Sequence, residues 1–350
     1  MKKFYFILLM CSVLQTNAQT NVVQVGKGIL PQNYISYFLP QTEIVIEVSV
    51  KKTIQKSGKF ANYAKRLLAL NNVITKSSAI YELDNVNISY NIAPDTLKNF
   101  AVEINSKSTA YNLYLNENRI LKGVNVVSPS FNPRKDALLQ ENPDTTIQFN
   151  YAVLSEEALM ATSEAKMAEM AAKQIFKIRE SRIEILSGES ETQYSGDALK
   201  LVISELDKIE KELVELFEGK SITFTETKIF RFIPKSATEN KVIFRFSPLL
   251  GIVDKDDLAG RPVTMSVSPQ INNSETLNEP KKQVKKFGIY YNVSCNAKIA
   301  IFDGNRQIAE NSFLFPQFGT LKFLPVELFN NKSTEVIFTE FGEVELVYGK

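Results

Sequence analysis

The chain of 350 residues contains no histidine. The side chain that most often serves as general base near neutral pH is therefore missing, and Ser-His, Cys-His and zinc-histidine chemistries are excluded. Cysteine is almost absent, with Cys11 and Cys295 alone. No apolar run approaches the roughly 20 residues that a membrane-spanning helix needs. A surplus of one charge is missing too: without Lys2 and Lys3 the 41 basic residues fall to 39, equal to the 39 acidic ones. A concentrated basic footprint for nucleic acid is not found, and the cluster Lys281, Lys282, Lys285 and Lys286 reads as a solvated linker.

What is present begins with a leader. Lys2 and Lys3 precede an apolar run from Phe4 to Leu14, and Thr16-Asn17-Ala18 supplies small residues for cleavage before Gln19. The expectation is a signal peptide at 1–18 and an exported, soluble mature chain, periplasmic or outer-membrane-associated. Cys11 leaves with the leader and sits in a poor context for lipid attachment. Cys295 is then alone, so no intramolecular disulfide can form. It lies in the alternating run from Tyr291 to Ala297 and is expected to be a buried, inert thiol.

The patterning predicts an α+β chain, with β-rich N- and C-terminal regions, sandwich or barrel-like, flanking a long antiparallel helical hairpin. The N-terminal β-rich domain is placed at 19–150, the hairpin at 151–219 and the C-terminal β-rich domain at 220–350, with a mobile linker near 268–287. Ile44, Ile46, Val48 and Val50 alternate with polar residues, as in a half-buried strand, and Phe60 to Leu70 reads as a short helix. Strands are expected at 86–92, 99–104, 111–115 and 120–127, with Pro94 as a break.

From Ser155 to Leu186 there is no proline or glycine, which predicts one helix of about 48 Å, followed by a second from Asp197 to Glu218 of about 33 Å. The repeated FRFIP and FRFSP segments read as two strands joined by a hairpin loop at 235–240. Turns are predicted at Asp303-Gly304, at Gln317-Phe318-Gly319 and at Asn330-Asn331.

Four segments together are similar to one family: SYFLPQTEIVIEV at 36–48, AKMAEMAAKQIFKIRESR at 165–182, VIFRFSPLLGIVDKDDLAG at 242–260 and GIYYNV at 288–293. The resemblance is to domain-of-unknown-function family 4831, exported proteins of Bacteroidota-type bacteria. It implies a cell-envelope setting and carries over no catalytic residue. The chain departs from the family at Ser294, near which proline is common.

Candidate sites carry two readings each. Ala158, Ala161, Ala165, Ala168, Ala172 and Ile175 recur at spacings of three and four, a small-residue seam either filled by the second helix or open to a partner helix. Arg179 and Arg182 continue the register; Arg179 is expected to face Glu205 across the hairpin or else a partner's carboxylate. Met160, Met167 and Met170 lie on another side, as gap-fillers or as an adaptable binding face. Asp254, Asp256 and Asp257 form a compact acidic cluster, read as a capped turn, with calcium binding or glycosidase chemistry as the sharper alternatives. Thr96 and Thr145, each after a Pro-Asp pair or its equivalent, resemble short O-glycosylation acceptors.

No catalytic residue, metal ligand or cofactor is assigned by these patterns. The reading is an interaction or scaffold protein whose partner is another envelope protein. Its alternative is a carboxylate-based glycan hydrolase or glycan-binding protein.

Overall fold

The computed structural model describes residues 22–25, 34–103, 112–126, 146–270, 288–329 and 334–349. The expected leader at 1–18, Thr145, the turn at Asn330-Asn331 and most of the expected linker fall outside them.

The architecture is strand-rich, with three antiparallel sheets. The first has the order β1 (Val22–Gln24), β3 (Ser78–Glu103), β2 (Tyr34–Lys56), β6 (Lys220–Phe232). The second runs β11 (Arg306–Pro325), β10 (Gly288–Asp303), β9 (Arg261–Pro269), β7 (Thr238–Ser247), β8 (Gly251–Val253). The third is β13 (Val344–Tyr348), β12 (Glu335–Phe338), β5 (Leu121–Val124), β4 (Leu113–Leu115).

Alternation in β2 buries Ile44, Ile46, Val48 and Val50 against Phe244, Phe246, Val263, Met265 and Ile299 of the second sheet, which makes the main sandwich core. Each such side chain contributes about 1.5–3 kcal/mol by leaving water. Tyr37 and Leu39, earlier in β2, enter a second core with Leu121, Val124, Ile289 and Val336. Just past the strand, Phe60 and Ala64 enter a third core with the helices. One extended strand and its flank thus join all three cores.

This arrangement corrects the expected division into β-rich domains at 19–150 and 220–350. β6 lies beside β2 from Ile44↔Phe232 to Lys56↔Lys220, and β12 lies beside β5, so regions on both sides of the helices share two of the sheets. The FRF segments are corrected as well. β6 and β7 are not a hairpin but belong to different sheets, and Phe230 stacks on Phe244 across the sandwich at 4.9 Å. Their aromatic faces look inward from opposite walls.

Pro94 does not break β3: it stands opposite Pro40, at a level where neither β6 nor β1 pairs with the ladder, so neither missing N–H costs a bond to a third strand. The Asp303-Gly304 turn forms as expected, with Asp303 paired to Arg306 and Gly304 at φ 60°. Gln317-Phe318-Gly319, by contrast, lies inside β11 at a bulge between the Val293↔Thr320 and Cys295↔Phe315 pairs. A Cβ on Gly319 would sit 1.7 Å from the Val293 carbonyl oxygen, so glycine is needed for close backbone approach. The same bulge interrupts alternation in β10 and leaves Cys295 half-exposed, its thiol held above its ordinary range by desolvation. At Ser294 the backbone N–H donates to Glu343 at 2.6 Å, a bond that proline could not make. The expected linker begins later than 268, because Ser268 and Pro269 still pair with Lys298 and Ala297.

Candidate interaction surface

α1 (Ala64–Leu68) lies between β2 and β3, and α2 (Glu156–Leu159), α3 (Glu164–Ser187) and α4 (Gly196–Glu218) follow β5. The single helix expected over 155–186 is broken at residues 160–163. Two serines explain the break, since Ser155 Oγ accepts the Ala158 N–H at 3.4 Å and Ser163 Oγ accepts the Lys166 N–H at 3.2 Å, each starting a helix of its own. α3 ends at Gly188, which takes φ 78° and donates its N–H to the Glu184 carbonyl. Arg179 pairs with Glu210 at 2.6 Å and Arg182 with Asp207 at 2.5 Å, so α3 and α4 run past each other in opposite directions.

Those ion pairs correct the expected Arg179–Glu205 contact. Arg182 also reaches Glu210, at 2.8 Å, and Glu205 instead lies 3.9 Å from Lys208 on its own helix. Glu210 lies five residues, about a turn and a half, beyond the expected partner. Both arginines are therefore engaged within the chain.

Along the alanine seam, Ala158, Ala168, Ala172 and Ile175 are buried in a core with Phe60, Leu154, Leu213, Leu216 and Phe217. Ala171, which the seam did not include, is buried with them. Ala161 and Ala165 are half-buried. The protein's own residues thus fill the seam at its centre. Met167 and Met170 pack against the same core, while Met160 is exposed in the break between α2 and α3.

Burial along the helix pair is one-sided. The buried residues of α3 end at Ile175 and those of α4 start at Leu213, so only the near halves are anchored. Beyond them Phe176 is 51% exposed, Ile183 65%, Leu186 64% and Leu201 64%. A shallow groove of about 410 Å³ runs along α4, lined by Leu199, Lys200, Ile203, Ser204 and Asp207. Sequence periodicity could not reveal this surface, because Leu199 and Ile203 belong to the same apolar stripe of α4 as the buried Leu213 and Leu216; only the position of the supporting core separates them.

The other candidates are placed apart from this surface. Asp254 Oδ1 accepts the Asp256 N–H at 3.1 Å and Asp257 Oδ1 accepts the Ala259 N–H at 2.9 Å, turns of the kind expected. Arg245 ties the same loop down through the carbonyls of Lys255 and Gly260, at 2.9 and 3.0 Å. Thr96 is exposed on a bulge of β3, between the Leu39↔Asp95 and Phe38↔Asn99 pairs, and Asp95 Oδ1 accepts the Leu97 N–H at 3.0 Å. Among the described residues no group of three or more Cys, Asp or Glu side chains is arranged to hold a metal ion, and no helix is long and apolar enough to cross a membrane.

A strand-rich chain of three sheets carrying a partly uncovered helix pair is the class that this geometry defines. The family model described as "Domain of unknown function (DUF4831)" matches residues 33–344, and the chain belongs to that family. Comparison with curated proteins and with solved structures found no match.

Proposed function

We propose that this is an exported cell-envelope protein, periplasmic or outer-membrane-associated, that acts as an interaction or scaffold protein through its helical hairpin. The observation that carries the reading is the apolar far half of that hairpin, with Phe176, Ile183, Leu186 and Leu201 exposed beyond the end of the supporting core. Large apolar side chains grouped on an exposed face mark interaction sites more often than scattered ones do. The ion pairs Arg179–Glu210 and Arg182–Asp207 support it, since they hold the far half together without burying apolar side chains there.

The test is photo-crosslinking in the native cell, with a benzophenone residue at Leu186 and a control probe at the exposed Thr225 of β6. The expected result is a discrete adduct from position 186 that disappears in a Phe176→Asn/Ile183→Asn background. Equal labelling from both positions, or no adduct from 186, overturns the reading. Intact-mass analysis of the same material tests the compartment: a chain starting at Gln19 is expected, and one that keeps residues 1–18 overturns export.

A further inference from the structure

We infer that the occupant of the hairpin's far half is a basic amphipathic helix of another protein. This rests on the docking reading above and names the partner's chemistry. Phe176, Glu180, Ile183 and Glu184 are spaced four, seven and eight residues from the first, which places them on one strip of α3. All four are exposed. The strip therefore alternates apolar contacts with carboxylates.

Acids outnumber bases around it. From Phe176, where the strip begins, to Glu210 there are eight acids and five bases, a net of −3. Four of the five bases are already in ion pairs, Arg179 with Glu210, Arg182 with Asp207 and Glu210, Lys200 with Asp197 and Lys208 with Glu205, and the fifth, Lys177, is exposed at the near end of the strip. Among the described residues, Glu180, Glu184, Glu189 and Glu191 have no cation within ion-pair distance. Glu189 and Glu191 sit in the connection beyond α3, so the unpaired carboxylates run from the exposed strip around the end of the hairpin.

This distribution chooses among occupants. A second copy would bring the same surplus of carboxylates against this one, and like charges at an interface cost affinity. An anionic lipid surface is repelled for the same reason. A helix with an apolar stripe and flanking lysines or arginines satisfies both features: its stripe covers Phe176 and Ile183, and its cations meet the four unpaired glutamates. Electrostatic complementarity of this exposed kind acts on encounter and is screened by salt.

The probes are two labelled amphipathic peptides of about 18 residues, five helical turns, with the same leucine face and either lysine or glutamate on the polar face. They are titrated by fluorescence anisotropy into the intact protein. The lysine peptide is expected to bind, to weaken about tenfold or more between about 50 and 500 mM salt, and to outcompete the glutamate peptide. Combined Glu180→Gln, Glu184→Gln, Glu189→Gln and Glu191→Gln should remove that binding with an unchanged thermal midpoint. Combined Asp254→Asn, Asp256→Asn and Asp257→Asn, which neutralises as compact a set of acids elsewhere, should leave it intact.

Equal affinity for the two peptides, or full binding by the quadruple Gln variant, overturns the inference. So does self-association lost on Ile183→Asn in sedimentation, which assigns the surface to a second copy, and so does Ile183-dependent binding to phosphatidylglycerol vesicles. Adducts at Leu186 without lysine-peptide binding would sink the partner chemistry and leave docking standing. Absence of both would sink the two together.

Discussion

The hydroxyl of Tyr37 accepts the backbone N–H of Tyr290 at 2.9 Å and donates to the carbonyl of the same residue at 3.1 Å. One buried side chain in β2 thus serves both backbone groups of a single residue in β10, in place of a neighbouring strand. Burial holds the phenol well above its ordinary range, so it stays protonated and able to donate. The rings of Tyr37, Phe100 and Tyr290 stack in sequence, with centroids 5.9 and 4.6 Å apart. Tyr37 lies in SYFLPQ and Tyr290 in GIYYNV, two of the segments by which the chain resembles its family.

Tyr37→Phe keeps that stack and removes only the hydroxyl. It should cost about 2–4 kcal/mol, because two backbone groups lose their partner and each unsatisfied buried group costs roughly 1–3 kcal/mol. Urea unfolding of the variant against wild type measures it. A loss within error of zero would mean that water replaces the hydroxyl at Tyr290.

Ala168 has no exposed surface and is packed among Ile175, Leu213 and Phe217. Ala168→Leu should lower stability by about 1–3 kcal/mol through overpacking, whereas Ala165→Ser, at a half-buried position, should be mild. Thermal unfolding of the two variants separates them. Equal effects would place the seam outside the core.

Lys122 is buried in β5, and desolvation lowers its pKa, opposed in part by the charge of Glu340. A lysine whose folded pKa lies below its unfolded value of about 10.4 costs the most stability below the folded pKa, and the cost fades as pH rises towards the unfolded one. The stability of wild type relative to Lys122→Met should therefore rise with pH through the alkaline range below about 10.4. Denaturant titrations near neutrality and at alkaline pH check this, and a difference that does not move with pH would show that Lys122 keeps an ordinary proton affinity.

Thr96 stands clear of the β2–β3 ladder, with the backbone around it fixed by Asp95. If the short acceptor pattern is used, the chain isolated from its own host carries a glycan mass that Thr96→Ala removes. An unmodified wild-type mass would strike Thr96 from the acceptors.

Much of the strand content was legible because alternation is a local property, as in Ile44 to Val50 and the two FRF segments. Which sheet each strand joins was not. Nothing within FRFIP and FRFSP distinguishes two neighbours in one sheet from two facing walls, and Phe230 meets Phe244 only once the sheets stack. The missed helix break had a signal, since Ser155 and Ser163 are both good caps, but an alanine-rich stretch with no glycine or proline outweighed it. The engagement of Arg179 and Arg182 was expected in kind and misplaced in register. Glu180 and Ile183 went unnoticed for the reason that any surface does: exposure depends on where the core stops.

The pairing of Lys56 with Lys220 and of Val124 with Val336 has a consequence for the order in which the chain can fold. Residues made early in synthesis wait for residues made late, so no N-terminal portion completes its sheets ahead of the C-terminal one. A chain stopped at 219 would leave the whole outer edge of β2, from Ile44 to Lys56, without its neighbour. Such an edge is a template for pairing with other chains, and topologies of this long range fold slowly. Truncated or slowly released forms should accordingly aggregate rather than survive as stable fragments.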